Sequence, residues 1–241
     1  GGGWAGGHKR CETLAPVFKA LSQGYAIVSV NYRLSGEVTW PAPLHDARAA
    51  VRFIRANGKK YKLDVKNLVV WGLSAGGHIA QMLAAANNLP AFEDLSPGNE
   101  KSSGEVQGVV SWYGVSDISS LTEAGKPYAD KIMGFDVHKN REKTRNANPL
   151  ELVTDQFPLI LLVHGTKDEV VPYIQSVQMM KAVNKATGKQ TARLIPFIGA
   201  VHSDAAISSN DSVAECLNFI DSILYDGKNP YRRKKLPVIK T

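Results

Sequence analysis

The chain has 241 residues, 44% of them hydrophobic, with 29 Lys and Arg against 22 Asp and Glu. That size and apolar fraction fit one domain, 1–241, burying a real core, and no apolar run approaches the ~18 residues of a membrane-spanning helix. The net charge of +7 is concentrated at the end: from Asp226 onward, Lys228, Arg232, Arg233, Lys234, Lys235 and Lys240 face that single acid, leaving about +2 for the rest. Residues 226–241 therefore read as a solvated basic tail, with neither nucleic acid nor membrane as partner.

Two cysteines are too few for a disulfide framework. Cys216 shares helical spacing with Val213, Leu217, Ile220 and Leu224 and reads as a buried thiol. Cys11, after His8, Lys9 and Arg10, reads as a partly exposed thiol at a helix start.

In chain order, short β-branched runs alternate with helical periodicity, the signature of a mostly parallel sheet covered on both faces. Residues 26–32 (AIVSVNY) are the first expected strand. A helix is expected over 43–56, with Ala47, Ala50, Val51 and Ile54 on one face. Residues 67–72 (NLVVWG) make the second strand, followed by a helix carrying Ile79, Met82, Leu83 and Ala86. Further strands are expected at 106–113, 158–163 and 192–197. A helix over 173–187 closes at Gly188, and a last helix spans 211–225 with Asp211 as its N-cap. Residues 115–156 break the rhythm; a long polar insertion of this kind reads as a small lid or binding loop.

The chemistry begins at Gly72-Leu73-Ser74-Ala75-Gly76, a G-x-S-x-G pattern placed where a buried strand gives way to an amphipathic helix. In that position Ser74 is held in a strained turn with its hydroxyl clear of the sheet, at a helix N-terminus that favours developing negative charge. A serine nucleophile needs a base, and the base an orienting carboxylate, in the chain order serine, acid, histidine. Asp168 stands just past the strand ending in Leu161-Leu162-Val163-His164, with Glu169 as the neighbour able to replace it. His202 is the only histidine after Asp168, which makes it the base.

His78, one turn after Ser74, is read as packing or facing solvent, and His164 as merely ending a buried strand. None of the histidines forms a ligand-spaced set, so no metal and no cofactor is expected. An ester's oxyanion requires preset donors: the Ala75 N–H is one, and Gly2 and Gly3 of the opening Gly1-Gly2-Gly3-Trp4 loop are the others. Trp4, Trp112 and Tyr113 are expected to line the acyl or alcohol pocket.

GGGW, VNYRLS, DARAAVRFIRAN, VVWGLSAGGHIA, VSWYGVSDIS, LILLVHGTKDEVVP and the histidine after IPFIGAV span nearly the whole chain. With these segments the sequence resembles the α/β-hydrolase esterases of the bifunctional feruloyl/acetyl esterase type, relatives of the hormone-sensitive-lipase-like carboxylesterases. The resemblance implies an α/β-hydrolase fold, with Ser74, Asp168 and His202 as nucleophile, acid and base and Gly2, Gly3 and Ala75 as oxyanion donors. It implies a short-acyl ester as substrate, such as acetyl or feruloyl groups on plant polysaccharide, and a secreted or periplasmic site of action in that case, cytoplasmic otherwise. An amidase or peptidase with the same triad, or an inactive hydrolase-like binding protein, are the alternatives.

Two departures stand out. GAVHSD replaces the usual GAGHG-like turn, and the histidine and strand that precede the glycine loop are missing. In this fold that strand lies inside the sheet, so the sequence reads as N-terminally truncated, with the apolar residues 236–239 of the tail as the only other segment to fill the gap.

Overall fold

The computed structural model describes residues 1–230; the RRKK run and the apolar segment 236–239 lie outside them. Four strands, β1 (Val69–Leu73), β2 (Gly108–Trp112), β3 (Leu159–Gly165) and β4 (Ala192–Phe197), form a parallel sheet in the order β1-β2-β3-β4. Around it stand α1 (Ala42–Tyr61), α2 (Ala75–Ala85), α3 (Lys126–Met133), α4 (Ile174–Thr187) and α5 (Asn210–Leu224). None of the helices among the described residues is long and apolar enough to cross a membrane.

The unbroken apolar run of β3 is what a strand covered on both faces requires, and side chains alternate between the faces with period two. Ile160 and Leu162 enter a core shared with Val51 of α1, Met82 of α2, Met179 and Val183 of α4 and Val109 of β2. Leu161 and Val163 enter the opposite core with Val110 and Trp112 of β2 and Val213, Leu217 and Ile220 of α5. The same parity turns His164 toward the α4 side.

The first expected strand is a correction. Residues 26–32 pair with no strand among the described residues; an apolar cavity of about 620 Å³, whose lining includes Ala26, Val28 and Val30 as well as Leu68, Val70 and Trp71, accompanies the missing ladder. A strand is defined by its ladder, and without a neighbour within hydrogen-bond reach the β-branched run is only extended chain.

Two helix ends also differ. α1 continues past residue 56 to Tyr61, with Lys59 and Lys60 in its last turn, where positive charge suits the helix dipole. α5 is capped by Ser209, whose side chain accepts from the Ser212 N–H at 3.3 Å, and Asp211 falls in the first turn instead. Residues 12–23, where the sequence suggested a helix start at Cys11, form a 3-10 helix with Cys11 at its N-cap.

The 115–156 stretch is folded onto the domain. Short 3-10 turns flank α3, and Ile118, Leu121, Ala129, Ile132, Val137 and Ala147 are buried in the α1/α2/α4 core.

Two guanidiniums tie α1 to the loop after α2. The side chains of Arg48 and Arg52 are 3% and 1% exposed, and both bond to Glu93, through Arg48 Nε at 2.9 Å and Arg52 Nη1 at 2.6 Å. Removing the shared partner strands two buried charges, so Glu93→Ala should cost roughly 3–5 kcal/mol. Urea denaturation measures this, and a loss under about 1 kcal/mol would contradict the account.

Candidate active site

Ser74 occupies the single residue between β1 and α2, at φ 52°, ψ −122°. An L-residue there carries about 1–3 kcal/mol of strain and persists only if its neighbours over-determine it. They do so here: its N–H donates to the Trp112 carbonyl at 2.9 Å, and its carbonyl accepts the first helical bond from His78 N at 3.0 Å. Gly72 makes the turn possible, since a Cβ at that position would collide with the Gly76 carbonyl oxygen.

From this turn the Ser74 hydroxyl reaches His202 Nε2 at 3.0 Å, and His202 Nδ1 lies 2.8 Å from Asp168 Oδ2. The other carboxylate oxygen accepts from the N–H groups of Val170 and Val171 at 2.9 and 2.8 Å. Burial by itself would raise the carboxyl pKa, but hydrogen bonds from His164 and His202 outweigh it and hold Asp168 well below the usual carboxylate range.

Asp168 is therefore an acceptor only. His202 must donate from Nδ1, which leaves Nε2 free to accept the serine proton. Glu169, the alternative acid, instead lies 3.4 Å from the His202 backbone N–H. The Tyr113 ring stands edge-on to His202 at 4.8 Å. The turn carrying His202 is pinned to the end of β3 by Thr166 N to Phe197 O and Lys167 N to Ala200 O, each 2.9 Å.

The glycine loop abuts the elbow. Gly2, Gly3 and Trp4 all have positive φ, at 74°, 58° and 56°, within one 3-10 turn. The first N–H groups of a helical turn lack intrahelical acceptors; Gly2 and Gly3 open one such turn, Ala75 is the first residue of α2, and a Cβ on Gly76 would lie 2.9 Å from Gly1 N. A Cβ at Gly3 would lie 2.5 Å from Tyr128 Cδ1, so that residue is glycine for both conformation and space.

The loop is anchored by Trp4, whose carbonyl accepts from Ser35 N at 2.8 Å and whose Nε1–H donates to His78 Nδ1 at 3.3 Å. His78 then carries its proton on Nε2 and donates it to the Ala147 carbonyl at 2.7 Å. Burial pushes His78 down to about 4.

Two of the three aromatic expectations need correction. Trp112 is fully enclosed in the α5-side core against Trp71, its Nε1–H on Cys216 Sγ at 3.3 Å, and Trp4 is buried against His78; neither has surface left for a ligand. Burial also pushes the Cys216 thiol up to about 12, consistent with an inert core group. Tyr113 touches His202 and is itself buried. Sequence reasoning missed Tyr128, half exposed over Gly3, because its contact depends on how α3 docks. It also missed the partners of His78 and His164, although a histidine inside an apolar strand run signals that a buried polar group needs one.

The BD-FAE family model matches residues 1–183. Over 98% of the chain the sequence is 29% identical to the esterase LipQ of Mycobacterium tuberculosis, covering 56% of that protein. It is 31% identical to the probable carboxylic ester hydrolase LipM of the same organism over 77% of the chain and 44% of that protein. The chain thus spans about half the length of these curated relatives. Among solved structures, a truncated form of a carbohydrate esterase from gut microbiota superposes with a TM-score of 0.82 at 26% identity, over 92% of this chain and 82% of that one.

Because His78 titrates lower in the folded protein (about 4) than in the unfolded chain (6.5), the unfolded chain takes up its proton first on acidification. Its contribution to stability is intact above about pH 6.5 and shrinks by roughly 3 kcal/mol as pH falls to about 4. Urea denaturation at pH 7 and pH 4.5 should show this loss in the wild type and a smaller one in His78→Gln. Equal losses would count against it.

Proposed function

The chain belongs to the BD-FAE family, and we propose that it is a serine carboxylesterase that hydrolyses short-acyl esters through an acyl-enzyme. The observation that carries this reading is the unbroken run from the Ser74 hydroxyl through the His202 imidazole to the ionised Asp168 carboxylate. His202 takes the serine proton as Oγ attacks the ester carbonyl. The oxyanion is held by the backbone N–H groups of Gly2, Gly3 and Ala75. His202 then returns the proton to the departing alcohol, accepts another from water, and the resulting hydroxide releases the acid while Ser74 regains its proton.

The esterase names of the relatives and the carbohydrate-esterase title of the structural neighbour favour an ester, and within that class one on a carbohydrate; acetyl or feruloyl groups on polysaccharide are the esters this reading assigns. The 115–156 stretch, which brings Tyr128 over Gly3, shapes the entrance in this reading as a small insertion in one domain.

Ser74→Ala should lower p-nitrophenyl acetate turnover at least about a thousandfold and abolish labelling by a fluorophosphonate probe. Turnover retained in that variant sinks the assignment. Gly3→Ala should cost about a hundredfold in kcat with Ser74 still labelled, because the loop donors are displaced while the nucleophile stays. An undiminished kcat would remove Gly3 from the oxyanion site.

A further inference from the structure

Asp168 Oδ2 faces two imidazoles. Besides His202 Nδ1 at 2.8 Å, it lies 3.1 Å from His164 Nε2, and that nitrogen is also 3.0 Å from the Val171 carbonyl oxygen. Both neighbours of His164 Nε2 are acceptors, so this nitrogen carries a proton and divides it between them. On the far side of the ring, Nδ1 is 2.7 Å from Ser176 Oγ on α4, a hydroxyl free to donate. A neutral imidazole protonated on Nε2 satisfies every one of these groups. His164 is fully buried, and Tyr173 meets it edge-on at 5.8 Å.

We infer that His164 is a positioning residue for the proposed reaction: by sharing the Asp168 oxygen with His202, it limits how much of the carboxylate's charge is left to stabilise a protonated His202. The inference rests on the reading of Ser74, Asp168 and His202 as the reacting groups. A carboxylate oxygen that already accepts one N–H is a weaker acceptor for a second. His164 thus has two effects. It fixes the orientation of the carboxylate together with the Val170 and Val171 amides, and it makes His202 release its proton more readily to the leaving alcohol.

The other titratable groups around His202 do not substitute for it. Glu169 sits at the His202 backbone N–H, Tyr113 offers a ring edge, and Asp204 accepts from the Val201 N–H. Only His164 and His202 meet Asp168 Oδ2 through side chains among the described residues.

The test is the pH profile of kcat/KM for p-nitrophenyl acetate in the full chain. His164→Leu should move the acid limb upward by roughly 0.5–1 pH unit, because the unshared carboxylate holds the His202 proton more tightly. His164→Gln, which keeps an N–H donor at that depth, should restore the limb to near its wild-type position. A purely structural role would lower kcat in both variants and leave the limb in place, and that outcome overturns the inference. If His164→Leu does not fold by circular dichroism, Ser176→Ala serves instead. Freed of its hydroxyl anchor, the ring loses its aim at Asp168, and the limb should move up; an unmoved limb in the folded variant also overturns the inference. Ser74→Ala run in parallel separates the two levels of the argument. Activity surviving there rejects the reacting groups themselves, whereas an inactive Ser74→Ala with an unmoved limb in the His164 variants rejects only the role given to His164.

Discussion

The parallel register, in which β1 and β2 end together and β3 and β4 run two residues further, sets the geometry of everything at the rim of this sheet. In the parallel register, Leu73 lies beside Trp112, Trp112 beside Val163, and Gly165 beside Phe197. The residues that follow each strand, Ser74, Tyr113, Thr166 to Asp168 and Ala200 to His202, therefore emerge side by side although up to 128 residues separate them along the chain. A one-residue slip of β3 would exchange its two faces. His164 would then turn toward the α5 core, and Asp168 would lose its place under His202. The apolar packing on both faces prevents that slip, since Ile160 and Leu162 fit one core and Leu161 and Val163 the other. Burial that looks purely structural is thus what sets distances of about 3 Å among polar groups.

Charge is the second constraint. An ionised carboxylate buried at the end of a strand is costly unless its lone pairs are filled, and Asp168 fills them with two backbone amides and two imidazoles. Each donor also restricts rotation of the carboxylate, so the bonds that keep the charge in place also aim it. The imidazole of His202 inherits that aim through Nδ1, and the serine hydroxyl receives it through Nε2.

Much of this was legible in the sequence, and for identifiable reasons. Strands β1 to β4 were readable because their apolar runs are short, β-branched and bounded by turn residues. That Ser74, Asp168 and His202 would meet could be anticipated because chain order and strand ends leave few candidates, and their side chains do lie within hydrogen-bond distance. The strand expected at 26–32 failed because composition reports a preference for extended backbone, whereas a strand also needs a neighbour. Trp112 failed for a related reason: the parity that places a side chain on one face or the other follows from register, and alternation is invisible in a run apolar at every position. His164 was hidden by its sequence neighbours, its partners Ser176 and Asp168 being brought to it only by the docking of α4 and the turn after β3.

The glycine loop extends the argument from a single turn to the whole rim. Three successive residues in the left-handed region would not hold that shape in a free chain, least of all with a tryptophan as the third. The indole N–H of Trp4 hands the problem to His78, one turn into the helix that begins after Ser74, and His78 hands it on to Ala147 in the 115–156 stretch. One buried imidazole therefore couples the glycine loop, the helix after Ser74 and the 115–156 stretch, and it does so only while neutral, because a proton on Nδ1 would take the acceptor from Trp4. Burial, which is what keeps that nitrogen bare, is thus as much a part of the site as any group that meets the substrate.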